Sequence, residues 1–98
     1  MRLGKVVGAV VATAKNESLV GGKLLVVEEI DPTAMKPKGT FVVAYDTVGA
    51  GDGELVLTVA GSSARLTGAT KDKPIDTAIV AIIDTVELKG KMVYGQRG

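Results

Sequence analysis

The chain has no cysteine and no histidine. Without cysteine there is no disulfide framework and no thiolate chemistry. With both residues missing, a zinc site, a Ser-His-Asp triad and histidine acid–base catalysis are excluded by composition. Tryptophan is absent as well, and only Phe41, Tyr45 and Tyr94 are aromatic. The core must therefore be built from Val, Ile, Leu and Ala. An excess of one charge is also lacking. Twelve Lys and Arg against eleven Asp and Glu leave a net charge of +1, which gives no electrostatic argument for nucleic acid or an acidic membrane surface. Glycines interrupt the longest apolar runs, so none suits a membrane span, and Met1 to Lys5 lacks a continuous hydrophobic signal region. The expectation is a cytosolic protein, and 98 residues suit one domain, 1–98.

What is present is a series of short apolar runs separated by turn residues. Lys5 to Ala14 reads as a strand rich in β-branched residues, with Gly8 marking a bulge or close contact. A polar break at Lys15–Ser18 and the Gly21-Gly22 turn lead into a second strand, Lys23–Glu28. Asp31-Pro32 opens a loop that runs through Gly39 and is expected to be a mobile surface segment. Thr40–Tyr45 and Glu54–Ala60 are the third and fourth strands. Ser62 to Gly68 can form one helical turn, with a Ser as N-cap and Gly68 at its end. After a charged loop at Lys71–Pro74, Asp76 to Leu88 is the longest strand candidate. Lys89-Gly90-Lys91 is a tight turn, Met92–Tyr94 a short last strand, and Gly95–Gly98 a loose tail. Short strands at this spacing, with one small helical turn, predict an all-β fold: a closed five-stranded OB-like barrel with short extra strands.

The strands are apolar on more than one face. A half-buried strand should alternate apolar and polar residues. Ile79–Ile83, the Val6–Val11 segment and Leu24–Val27 do not. Only one face of each strand can line a barrel this small, so the other forms an apolar surface larger than a monomer usually shows. The pattern points to burial against other copies or a partner.

Candidate chemistry is sparse. Gly49-Ala50-Gly51-Asp52-Gly53 shares glycines with a dinucleotide loop, but Glu54 stands where the third glycine of G-x-G-x-x-G belongs, and a strand follows instead of a helix. Asp46, Asp52 and Glu54 could offer oxygens to a hard cation, yet the spacing matches no calcium loop, and turn chemistry explains them better. Ser62 and Ser63 have no histidine and no S-x-x-K lysine to activate them, so capping is the better reading. Arg65 has two readings: a fixed bidentate pair with Asp46, Glu54 or Asp76, in the same chain or the next, or a solvated arginine. Neither a metal nor a cofactor is implied. A single-strand nucleic-acid or ligand-binding barrel is the alternative, but such barrels need stacking aromatics in a basic groove. A small carboxylate enzyme is a third possibility.

The stretch Asp46 to Arg65, DTVGAGDGELVLTVAGSSAR, resembles the central signature of the EutN/CcmL vertex proteins of bacterial microcompartments and carboxysomes. Gly4–Thr13, Lys15 with Leu19–Val27, and Asp76–Asp84 are similar to the family's other elements in order and spacing. The resemblance implies an OB-like barrel without catalytic activity. It implies a homopentamer capping the five-fold corners of a shell tiled by hexameric shell proteins, in the bacterial cytoplasm, with no nucleic acid or membrane as partner. Alternate glycines allow close backbone approach. Subunit contacts are accordingly expected at Asp46, Val48, Gly49, Ala50, Gly51, Gly53 and Glu54, and at Gly61, Ser62, Ser63 and Arg65.

Overall fold

A computed structural model describes residues 1–13, 15–71 and 73–95. Seven strands run through it: β1 (Arg2–Val10), β2 (Lys23–Asp31), β3 (Lys36–Asp46), β4 (Leu55–Ala60), β5 (Thr77–Ile82), β6 (Val86–Leu88) and β7 (Lys91–Tyr94). The first five close a barrel in the order β1-β2-β3-β5-β4, and β6 and β7 form a separate two-stranded sheet. The all-β, closed five-stranded barrel expected from strand spacing is what forms. Its only helical pieces among the described residues are 3-10 turns at Glu17–Leu19 and Gly61–Arg65.

Closure makes a core from alternate residues. Val6, Leu25, Val27, Ala44, Val56 and Ile79 point inward and pack with Ala50, while Val42 and Ile82 flank them. Val6, Val27, Val56 and Ile79 are at most 2 % exposed, and each such side chain contributes about 1.5–3 kcal/mol by leaving water. Gly8 marks a bulge as expected. Val6 pairs with Val27 and Gly8 with Val26, leaving Val7 as the extra residue. At one barrel mouth the inward Glu29, with its side chain 8 % exposed, is held by Arg2 at 2.9 Å. The ion pair ties the start of β1 to β2 and leaves no buried carboxylate unpartnered.

Several boundaries differ from the sequence expectation. The first strand begins at Arg2, because Arg2–Lys5 pairs with Thr58–Leu55 of β4. The expected loop from Asp31 to Gly39 belongs mostly to a β2–β3 hairpin, in which Ile30 pairs with Pro37 and Asp31 with Lys36. Its four-residue turn is closed by the Met35 amide donating to the Asp31 carbonyl at 2.7 Å. The Asp31 carboxylate accepts from the Thr33 amide at 2.8 Å and the Thr33 hydroxyl at 2.7 Å, the Asx chemistry that sets a turn.

The helical turn starts at Gly61, not at a serine. Ala60 stands at its cap with no side-chain hydrogen bond, so the serine-cap expectation is corrected. The long strand expected over Asp76–Leu88 is two strands. The last β4 rung is the Ile83 amide donating to the Leu55 carbonyl at 2.8 Å, and beyond it β5 has no partner. Lys89 and Gly90, at φ 52° and 80°, make the two-residue turn of the β6–β7 hairpin as a type I′ turn. Asp72 of the charged loop and residues 96–98 of the tail fall outside the described residues.

Two predictions follow from the packing. Ala50 is 1 % exposed and sits in the core cluster. Ala50→Leu should overpack the barrel itself and lower folding stability by about 1–3 kcal/mol, read as a reduced denaturant midpoint. An unchanged midpoint would place Ala50 outside the packed core. Hydrogen bonds from the Thr33 hydroxyl and then the Thr33 amide hold the Asp31 carboxyl below its ordinary value of 3.8. A depressed carboxyl contributes stability that is present above 3.8 and lost as pH falls through the lower folded value. Asp31→Asn should flatten that part of the acid-stability profile, checked by thermal melts across the acid range.

Candidate subunit-contact surface

The loop from Asp46 to Glu54 is bracketed by two carboxylates that face its own backbone. Asp46 accepts from the Val48 amide at 3.1 Å and the Ala50 amide at 3.0 Å. Glu54 accepts from the Gly51 amide at 2.5 Å. These bonds take up amides that a tight loop would otherwise leave unpaired. The loop is also stitched to its neighbours. Thr47 donates through its hydroxyl to the Ile79 carbonyl at 2.7 Å, and the Gly53 amide donates to the Val6 carbonyl at 2.8 Å, beside the β1 bulge.

The glycines of this loop serve different ends. Gly49 and Gly53 have φ of 76° and 81°, the left-handed region that favours glycine. Gly53 is the third residue of a turn closed by the Glu54 amide donating to the Gly51 carbonyl at 3.2 Å, the position that requires φ > 0 in a type II turn. A Cβ on either glycine would meet nothing in this chain, so both positions face outward. Gly51 has no positive φ. A Cβ there would stand 3.3 Å from the Glu54 carboxylate.

The structure places the eleven expected contact residues in two groups. Val48, Gly49 and Gly53 are exposed, Asp46, Gly51 and Glu54 are half-buried, and Ala50 points into the barrel. Ala50 is thus set apart from the others, because its methyl group is already enclosed by its own core. Gly61, Ser62, Ser63 and Arg65 are exposed on the 3-10 turn, which is anchored by buried Ala64 and by the Gly61 amide donating to the Asp76 carbonyl at 2.7 Å. Six β4 residues separate Glu54 from Gly61, roughly 20 Å of strand. Among the described residues no ion pair joins Arg65 to Asp46, Glu54 or Asp76. Of its two readings, a pair within the same chain is not formed.

The sequence pattern gave no reason to single out the outer face of β1–β2–β3. Cross-strand register puts Gly8, Val26 and Val43 in one row and Lys5, Glu28 and Phe41 in the next. Phe41 is 57 % exposed, Val43 48 %, Val7 41 % and Val10 39 %. Two-faced apolar strands were the signal for it, but β5 carries the same signal without an exposed residue, since Val80 to Ile83 are all half-buried. Pairing register, which the sequence does not print, separates the two cases. Tyr45, by contrast, is buried beside Gly22, with the Lys73 ammonium 5.8 Å from its ring centre. Only Phe41 of the three aromatics is openly exposed, which leaves no row of stacking side chains for single-stranded nucleic acid. Asp46 and Glu54 are occupied by loop amides, and no three acidic side chains converge among the described residues.

Comparison with known proteins identifies the chain's relatives. Residues 1–84 match the family described as "Ethanolamine utilisation protein EutN/carboxysome". The bacterial microcompartment shell vertex protein GrpN of Rhodospirillum rubrum (strain F11) is 53 % identical over 87 residues, covering 89 % of this chain and 97 % of GrpN. The GrpN structure, a pentameric microcompartment shell protein, superposes with a TM-score of 0.81 at 52 % identity, over 90 % of this chain and 99 % of that one. The CcmL structure from Gloeobacter violaceus superposes with a TM-score of 0.92 at 40 % identity, over 98 % of both chains. With the same barrel along nearly its whole length and more than half of its residues shared with GrpN where the two align, this chain belongs to the EutN/CcmL family of shell proteins.

Proposed function

We propose that this chain is a non-enzymatic building block that assembles as a homopentameric ring and occupies the vertices of a polyhedral bacterial microcompartment, against hexameric shell proteins. The observation that carries the reading is the match to a pentameric shell protein over 99 % of that protein's chain, joined to an outer barrel face on which Val7, Val10, Phe41 and Val43 lie exposed. An apolar face of this kind calls for a covering surface. A heterologous contact repeated around a closed ring gives every subunit the same cover. The Asp46–Glu54 loop and the Gly61–Arg65 turn lie at opposite ends of β4, so each subunit can use one toward either neighbour.

Native mass spectrometry tests the ring directly. The expected species has five times the mass of the 10.0 kDa chain; a monomer at micromolar concentration and moderate salt overturns the reading. In the cell, deletion of the gene should leave shell sheets or tubes with open corners and leaking intermediates. Sealed polyhedra with no second vertex protein would argue the other way. The loop has its own test. Asp46→Ala leaves the buried Ala50 amide without its acceptor, which costs about 1–3 kcal/mol. Asp46→Asn retains a side-chain oxygen and should lose less. Both variants are expected to shift sedimentation toward smaller species, Asp46→Ala the further.

A further inference from the structure

β3 carries a long open edge. On one side it pairs with β2 from Lys36 to Asp46. On the other side only Tyr45 and Asp46 meet β5. Among the described residues, Lys36 to Ala44 make no further backbone bond. The register tells which groups are left over. The Thr47 amide donates to the Ile79 carbonyl at 3.3 Å, on the β5 side. Backbone direction alternates along a strand, and the register with β2 is unbroken from Phe41 to Asp46. Phe41 and Val43 therefore turn their N–H and C=O groups toward the open side, and Val42 and Ala44 turn theirs toward β2. The β1 side gives the same phase. Val6 spends its amide on the Glu54 carbonyl at 3.0 Å and its carbonyl on the Gly53 amide at 2.8 Å, so its neighbour Val27 faces Val42.

Composition divides this edge in two. Lys36-Pro37-Lys38 has two cations and a residue without an N–H, devices that keep a strand edge from pairing indiscriminately. Thr40 to Ala44 has neither charge nor proline and is rich in strand formers. An apolar edge of this kind is an aggregation hazard unless something covers it. A neighbour resting on the Phe41 and Val43 side chains covers the outer face of the sheet. The free N–H and C=O groups lie in the plane of the sheet, at right angles to that face. Pairing of β3 with the β3 of another copy is a two-fold contact, which does not propagate around a ring. Lys36 and Lys38 are exposed and, among the described residues, form no ion pair.

We propose that the Thr40–Ala44 edge of β3 receives an antiparallel strand from another protein, an extended segment with an acidic C-terminal end. Antiparallel pairing carries that end toward Lys36 and Lys38. Main-chain bonds at Phe41 and Val43 hold the strand, and β-branched residues at alternate positions lie beside their side chains. The lysines that keep other strands away select this one by charge. The inference is independent of the number of copies in the ring.

The probe is the peptide acetyl-Thr-Val-Thr-Val-Asp-Glu-amide, added to the full chain while amide hydrogen exchange is followed by NMR. Without peptide, Phe41 and Val43 should exchange faster than Val42 and Ala44. Peptide at about ten times its Kd should slow the first two by about tenfold and leave the others unchanged. A peptide ending in Lys-Lys should bind more weakly, and Lys36→Glu with Lys38→Glu should reverse that preference. No slowing up to millimolar peptide overturns the proposal. Phe41 and Val43 amides already as protected as Val42 before peptide is added, or a native mass of two joined rings, shows that another copy covers the edge and overturns it too. Proline substitution checks the phase. Val43→Pro removes an N–H that the β2 ladder does not use, so the barrel should stay folded by circular dichroism while the response at Phe41 is lost. Val42→Pro removes a ladder donor and should unfold it. A folded Val42→Pro beside an unfolded Val43→Pro reverses the phase and counts against the docking.

Discussion

Val6, Val27, Val56 and Ile79 meet inside a ring of five hydrogen-bonded strands, and that closure is the constraint on which the other features depend. Side chains alternate across a strand, so a small barrel can take in only every second residue. The opposite face remains outside however apolar it is. Val43 is exposed because Ala44 and Val42 face inward, and Val7 is exposed because it is the bulged residue beside Val6. A barrel that satisfies its own core therefore leaves an apolar surface outside it.

The same closure disciplines the connections. β3 and β5 run parallel and share only the pairs Tyr45↔Ala78 and Asp46↔Ile79. The chain between β3 and β4 must then cross over the end of the barrel and return to β1. It does so through the Asp46–Glu54 loop, whose two carboxylates hold its amides and whose Gly53 amide joins the Val6 carbonyl. Ala50 closes this end of the core from within the loop. The family's glycine-rich signature is, within one subunit, a plug for the barrel. Its outward-facing glycines, Gly49 and Gly53, leave backbone accessible to a neighbour.

Charge has a smaller and more local part. The Arg2–Glu29 pair closes the barrel mouth where β1 and β2 meet, and removal of Arg2 would strand a carboxylate that water reaches poorly. The remaining charges lie on the surface, where individual pairs contribute little to folding. Their effect is felt instead where a second subunit would bury them. A chain with nearly equal numbers of acids and bases can match such contacts without long-range repulsion between its copies.

Composition and local pattern alone determined the class of this protein. Lack of cysteine and histidine removed the familiar catalytic and metal chemistries. β-branched runs between glycine turns specified a small barrel, and Gly8 foretold the bulge, because these are properties of adjacent residues and of the period-two pleat. The resemblance carried by Asp46–Arg65 specified the family. Only the tertiary structure decided which apolar face is free, because that depends on register between distant strands, as in Val26↔Val43. It also decided that Ala50 belongs to the core and not to the loop's outer surface, since the chain must fold over the barrel end before its methyl group joins the buried cluster. The break between β5 and β6 was likewise hidden. The run from Ile79 to Leu88 is almost uniformly strand-forming, and it is the end of the β4 ladder at Leu55, far away in sequence, that stops it.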